Sequence, residues 1–120
     1  MENQTIIDLN LHLSSDTTAL VGRDRGETLA KKIFTPKVAG IPKELEAKYK
    51  VIVINIPPRI VSMNKSYFLG FFEAIIQRLG RDAFLSKYII NGSDYIKNKI
   101  SSYVEAALLK SSQGEILDVD

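Results

Sequence analysis

The chain has no cysteine, which excludes thiolate chemistry, a disulfide framework and any cysteine-held metal. Histidine is nearly as scarce, with His12 alone. A serine nucleophile needs a base within hydrogen-bond reach, and neither a GxSxG elbow nor an HExxH pair is present. The acids are scattered, and no two are paired for general acid–base work. No catalytic residue, metal or cofactor is therefore assigned, and the chain reads as a non-enzyme. No apolar run approaches the roughly 18–20 residues that a membrane-spanning helix needs. The first ten residues, MENQTIIDLN, lack the basic and apolar regions of a signal peptide. A cytoplasmic protein without membrane contact is the expectation.

Charge of one sign is also missing in quantity. The net charge is +2, and the last six residues, EILDVD, hold three of the acids. Without them, 16 bases face 11 acids, a surplus of +5 with no block of like charge. Nucleic acid binding is permitted by that balance and not indicated. What is present is ordinary for a globular chain: 120 residues, 45% apolar and 25% charged, enough for one domain with its own core. A single domain is expected over residues 1–110, followed by a flexible acidic tail at 111–120.

The most informative stretch is VIVINIPPRIVSMNKSYFLGFFEAIIQRL, residues 51–79. The β-branched run Val51–Ile54, with Ile56, predicts a central strand covered on both faces. Pro57 and Pro58 end it, because neither offers an N–H to a ladder. Asn64 is placed to cap a helix from Ser66 to Leu79. That helix has only a narrow polar strip: Ser66, Gly70, Glu73 and Gln77. Tyr67, Leu69 and Ile76 flank the strip, so either neighbouring helices or a partner must cover them.

Elsewhere, Ile7, Leu9, Leu11 and Leu13 alternate with polar residues and predict a half-buried strand, with His12 on its wet face. Asp24 and Glu27 have capping-box spacing before a helix over about 25–34. Gly26 falls in its first turn, where glycine permits close approach. Arg23 and Arg25 flank this helix start and read either as solvated bases or as an anion contact. Residues 35–50 are punctuated by Pro36, Gly40 and Pro42, with a short helix expected from Pro42 and a brief strand at 37–39. Gly80 closes the long helix, Arg81–Ser86 reads as a link, and Lys87–Ile90 as a further strand. Asn91-Gly92 marks a turn, and Ser93 caps a final helix from Asp94 to about Lys110. Strands alternating with helices imply an α/β fold with crossover connections.

Ligands of open α/β sheets gather outside the carboxyl ends of strands. Arg59, Ser62, Asn64, Lys65 and Ser66 therefore form the candidate binding loop, with Tyr67 and Leu69 as adjoining apolar contacts. Two bases and a helix N-terminus at one place favour an anion or an acidic partner; a capped helix with solvated bases is the plainer reading.

At this loop the chain resembles STAS-like domains, the family of bacterial anti-sigma factor antagonists. The resemblance rests on the strand–loop–helix of residues 51–75, on Ser66-Tyr67-Phe68-Leu69 at the helix start, and on Arg23-Asp24-Arg25-Gly26 upstream. It extends over roughly residues 5–110. It implies a small mixed sheet of about four strands with helices packed on it. It also implies regulation by protein–protein contact, the partner class including histidine-kinase-like ATPases. Family members carry a phosphorylated serine in this loop, and phosphate there adds nearly two negative charges at the docking surface. The matching triplet here is Asn64-Lys65-Ser66, with Asn64 in place of the acid and Lys65 at the usual acceptor position. Ser66 and Ser62 are the candidate phosphoacceptors.

Two functions of different class follow. The first is a regulatory interaction module docking a protein through this loop and helix. The second is a sensor holding a small anion or nucleotide at the same helix N-terminus. No oligomeric state is assigned.

Overall fold

The computed structural model describes residues 2–34 and 42–113. The elements in order are β1 (Glu2–Asp8), a 3-10 turn (Leu9–His12), β2 (Ala19–Leu20), α1 (Arg23–Ile33), α2 (Pro42–Lys48) and β3 (Tyr49–Asn55). They continue with β4 (Ser62–Met63), α3 (Lys65–Leu79), α4 (Arg81–Lys87), β5 (Tyr88–Asn91) and α5 (Asp94–Gln113). The fold is α/β. In place of a single mixed sheet of about four strands, the described strands form two wholly parallel sheets, β1-β3-β5 and β2-β4.

The β-branched strand is central, as its composition requires, with Ile7, Ile54 and Ile90 in one register row. That row is buried, together with Ile52 and Tyr88. The expectation of two covered faces is corrected by the neighbouring row. There Ile6, Val53 and Ile89 are aligned, and Ile6 is 59% and Ile89 45% exposed. Parallel strands from βαβ units normally bury both faces, so this row is unusually open.

Several boundaries differ from the sequence reading for physical reasons. The alternating segment 7–13 is not one strand. β1 ends at Asp8, whose carboxylate accepts from the Asn10 N–H at 3.0 Å and turns the chain into the 3-10 turn. Leu9 is buried there, and Leu11 points outward. Asp24 does not cap α1; the cap position is Gly22, and Asp24 lies in the first turn, where the helix dipole favours an acid. Arg81–Ser86 belongs to a helix, α4, rather than a link. A seven-residue helix has little stability of its own. Here Phe84 anchors it in the core, stacked on Tyr88 at 5.2 Å and edge-on to Phe72 at 5.5 Å. Gly80, at φ +86, serves as the end of α3 and the start of α4. The helix from Pro42 is present, and the brief strand expected at 37–39 lies outside the described residues. Ser93 caps α5, which continues to Gln113 rather than ending near Lys110; residues 114–120 are also outside the description.

Neighbouring helices cover the flanks of α3. Tyr67 and Leu69 are each 3% exposed, and Ile76 is fully buried. Helix α1 lies along the polar strip, where Arg23 pairs with Glu73 at 3.2 Å. The two helices meet through glycine on both sides. A Cβ on Gly26 would overlap the Tyr67 carbonyl oxygen, and one on Gly70 would overlap that of Arg23. On the other flank, Gln77 donates to the Ala107 carbonyl of α5 at 3.2 Å.

Glu46 ties α2 to the body of the fold. Arg78 grips both of its oxygens at 2.8 Å, and the Tyr88 hydroxyl donates to one of them. Burial by itself would raise the Glu46 pKa. The hydrogen bonds from Arg78 and Tyr88, with the charges of Arg78 and Lys87, outweigh it and hold the carboxyl below the usual glutamate range. A depressed folded-state pKa contributes stability above the unfolded value, and that stability is lost as pH falls through the folded value. Glu46→Gln is therefore expected to cost about 2 kcal/mol at neutral pH, the scale of hydrogen bonds to a charged group. The gap from wild type should narrow as pH falls below the ordinary glutamate value of 4.5. Urea denaturation across a pH series checks both parts.

Candidate functional site

Strands β1 and β3 are parallel and end in register at Asp8 and Asn55, so the segments that follow them leave the sheet at the same end. After β3, the Ile60 N–H closes a turn onto the Pro57 carbonyl at 3.0 Å, and the buried Ile60 side chain anchors it. This turn presents Arg59 to the segment after β1. The guanidinium donates to the Thr17 carbonyl at 3.1 Å, to the Ser14 carbonyl at 2.8 Å and to the Asn10 side-chain oxygen. A planar fork with five N–H donors suits three separated acceptors better than an ammonium does. Arg59 is thus a clamp between two loops, and its donors point into the protein.

The β2-β4 ladder continues the join. Val61 donates to the Thr18 carbonyl at 3.0 Å and Asn64 to the Leu20 carbonyl at 2.9 Å. Asn64 caps α3 as its sequence position predicts, accepting from the Tyr67 N–H at 3.0 Å and from the Gly22 N–H at 3.4 Å. The N-terminus of α3 is therefore already occupied in part by an amide side chain of its own chain. Ser93 adds a third tie, its hydroxyl donating to the Val61 carbonyl at 2.9 Å.

The predicted site residues fall into two groups. Ser62, Lys65 and Ser66 are half-buried at the surface, Ser62 within β4 and the other two in the first turn of α3. Ser66 has a partner within the protein. Tyr67 and Leu69 are each 3% exposed and leave little apolar area for a protein partner, against their expected role as contacts. Burial pushes the Tyr67 hydroxyl up to about 12, with the Arg25 charge opposing it.

Three exposed apolar residues in or beside the segments that follow β1, β2 and β3 were missed by sequence reasoning. Leu11 is 78%, Val61 58% and Val21 50% exposed. Val21 and Val61 stand outside any periodic run, and that isolation was the only signal available. Leu11 was assigned to a buried strand face and lost that face when the chain turned at Asp8. Among the described residues no three of His, Cys, Asp or Glu are grouped to hold a metal, and no described helix is long and apolar enough to cross a membrane. Compared with models of protein families, with curated proteins and with solved structures, the chain matches none.

Proposed function

We propose that this chain is a STAS-like regulatory module that does no chemistry and docks a protein partner through the carboxyl end of its parallel sheet. One observation carries the reading: Arg59 ties the loop after β1, which carries the exposed Leu11, to the loop after β3, which carries the exposed Val61. Solvent-facing apolar side chains on a braced frame with a polar rim are the anatomy of a protein interface. Lys65, in the first turn of α3, would steer an acidic partner. The family resemblance makes an ATP-binding, histidine-kinase-like regulator the first partner to test. A phosphate on Ser62 or Ser66 would place negative charge beside Lys65 and change the docking surface.

The test is capture of partners from the native lysate by tagged wild type and by three variants. Val61→Asp and Lys65→Glu should each reduce recovery of a specific partner by about tenfold, as expected for a charge buried at an interface or reversed at its rim. Ile89→Lys, on the open sheet face, should leave recovery unchanged. A partner lost with Ile89→Lys and kept by the other two would move the interface to the sheet face and refute this assignment. Far-ultraviolet circular dichroism of each variant separates lost docking from lost folding.

A further inference from the structure

A cleft of about 240 Å³ opens between α1 and the segment that runs from the 3-10 turn to β2. One face of α1 supplies Arg25, Thr28 and Lys32, at the three- and four-residue spacing that aligns side chains along a helix. His12 and Thr17 face them from the loop, while the buried Leu20 and Leu29 supply an apolar lining. No acid lines the cleft. Among the described residues, neither Arg25 nor Lys32 takes part in an ion pair.

A second observation is independent of the bases. Tyr67 lines the same cleft; the residue as a whole is 3% exposed, and among the described residues its hydroxyl has no hydrogen-bond partner. Arg25, which lines the same cleft, is near enough to act on that hydroxyl electrostatically.

We propose that this cleft binds a phosphate monoester with a small apolar or aromatic body. Such a phosphate carries nearly two negative charges at neutral pH and three acceptor oxygens. Arg25 and Lys32 match the charge, and the hydroxyls of Thr17, Thr28 and Tyr67 supply donors around it. A single carboxylate would leave one cation uncompensated, and inorganic phosphate would leave the leucine lining uncovered. The Tyr67 N–H at the start of α3 is held by Asn64, so the cleft offers side chains of α1, the facing loop and Tyr67 rather than that N–H. The proposal does not depend on the docking reading, because ligand binding is measured on the protein alone.

Phenyl phosphate is the probe, titrated into the full chain and followed by amide chemical shifts and by melting temperature. Wild type should show saturable binding, shifts centred on residues 12–32 and a rise in melting temperature. The double variant Arg25→Ala/Lys32→Ala should bind about tenfold more weakly or less, the worth of one or more charge-assisted hydrogen bonds. Both residues are exposed on α1, so this variant keeps its fold. Tyr67→Phe should weaken binding severalfold without disturbing the apolar packing of the ring. Benzoate and inorganic phosphate should each bind more weakly than phenyl phosphate. Absence of saturable binding to wild type, unchanged affinity in the double variant or in Tyr67→Phe, or benzoate binding as tightly would overturn the proposal.

Discussion

Gly70→Ala is expected to destabilise the protein by about 3 kcal/mol, the upper range for forcing an extra group into a filled contact. The sign is the informative part. At an exposed position inside a helix, replacing glycine by alanine stabilises by about 1 kcal/mol, since alanine loses less backbone freedom on folding. Here the added methyl would meet the Arg23 carbonyl oxygen, which belongs to the first turn of α1 and cannot swing away as a side chain does. The helices would have to separate, and the Arg23–Glu73 pair at 3.2 Å lies on that same seam. Gly26→Ala meets the Tyr67 carbonyl in the same way and should cost a similar amount. The double variant should cost less than the sum, because helices already forced apart accommodate the second methyl cheaply. Urea denaturation of the three variants measures all of this. A stabilising Gly70→Ala would show that α1 and α3 do not touch through these glycines.

Arg59→Ala is the second large expected effect. Its three acceptors lie on Asn10, Ser14 and Thr17, and truncation leaves all of them without the guanidinium. A loss of about 2–3 kcal/mol is expected, as for removing hydrogen bonds made by a charged group. The loss should also be local. Amide exchange should speed up across residues 9–18, while the amides of β3 and α3 keep their protection. Arg59→Lys should recover only part, because one ammonium cannot span three separated acceptors. Docking should fall in the alanine variant even where Leu11 and Val61 are intact, since the loops that carry them are no longer held together. Unchanged exchange over residues 9–18 would mean that the loops keep their places without Arg59.

These two predictions mark where sequence and structure part. The run Val51–Ile54 identified the central strand, because β-branched residues on both faces suit little else. Asn64 and Ser93 announced their helices, since capping is a contact across three residues and is written locally. Gly26 was recognised as a place of close approach, though its partner was not. The rule that ligands of α/β sheets gather at the carboxyl ends of strands directed attention to the loop after β3, and the candidate phosphoacceptors Ser62 and Ser66 lie at its far end.

Other features needed the folded chain. The alternation through Leu13 fits a strand equally well whether or not Asp8 turns the backbone aside, and only the turn exposes Leu11. Arg59 reads as a solvated base until the loop after β1 is brought within reach of it, 42 to 49 residues away in sequence. Tyr67 and Leu69 look available for contact on a helical wheel, and the passage of α1 across them decides otherwise. Residues interacting over a few positions leave a pattern in the chain, so the sequence by itself determined the α/β class, the central strand and the caps of α3 and α5. Which cation clamps, which apolar side chain stays exposed and which bases share a cleft depend on contacts between distant segments. The tertiary structure alone decided those, because a side chain's surroundings are set by what the rest of the chain places against it.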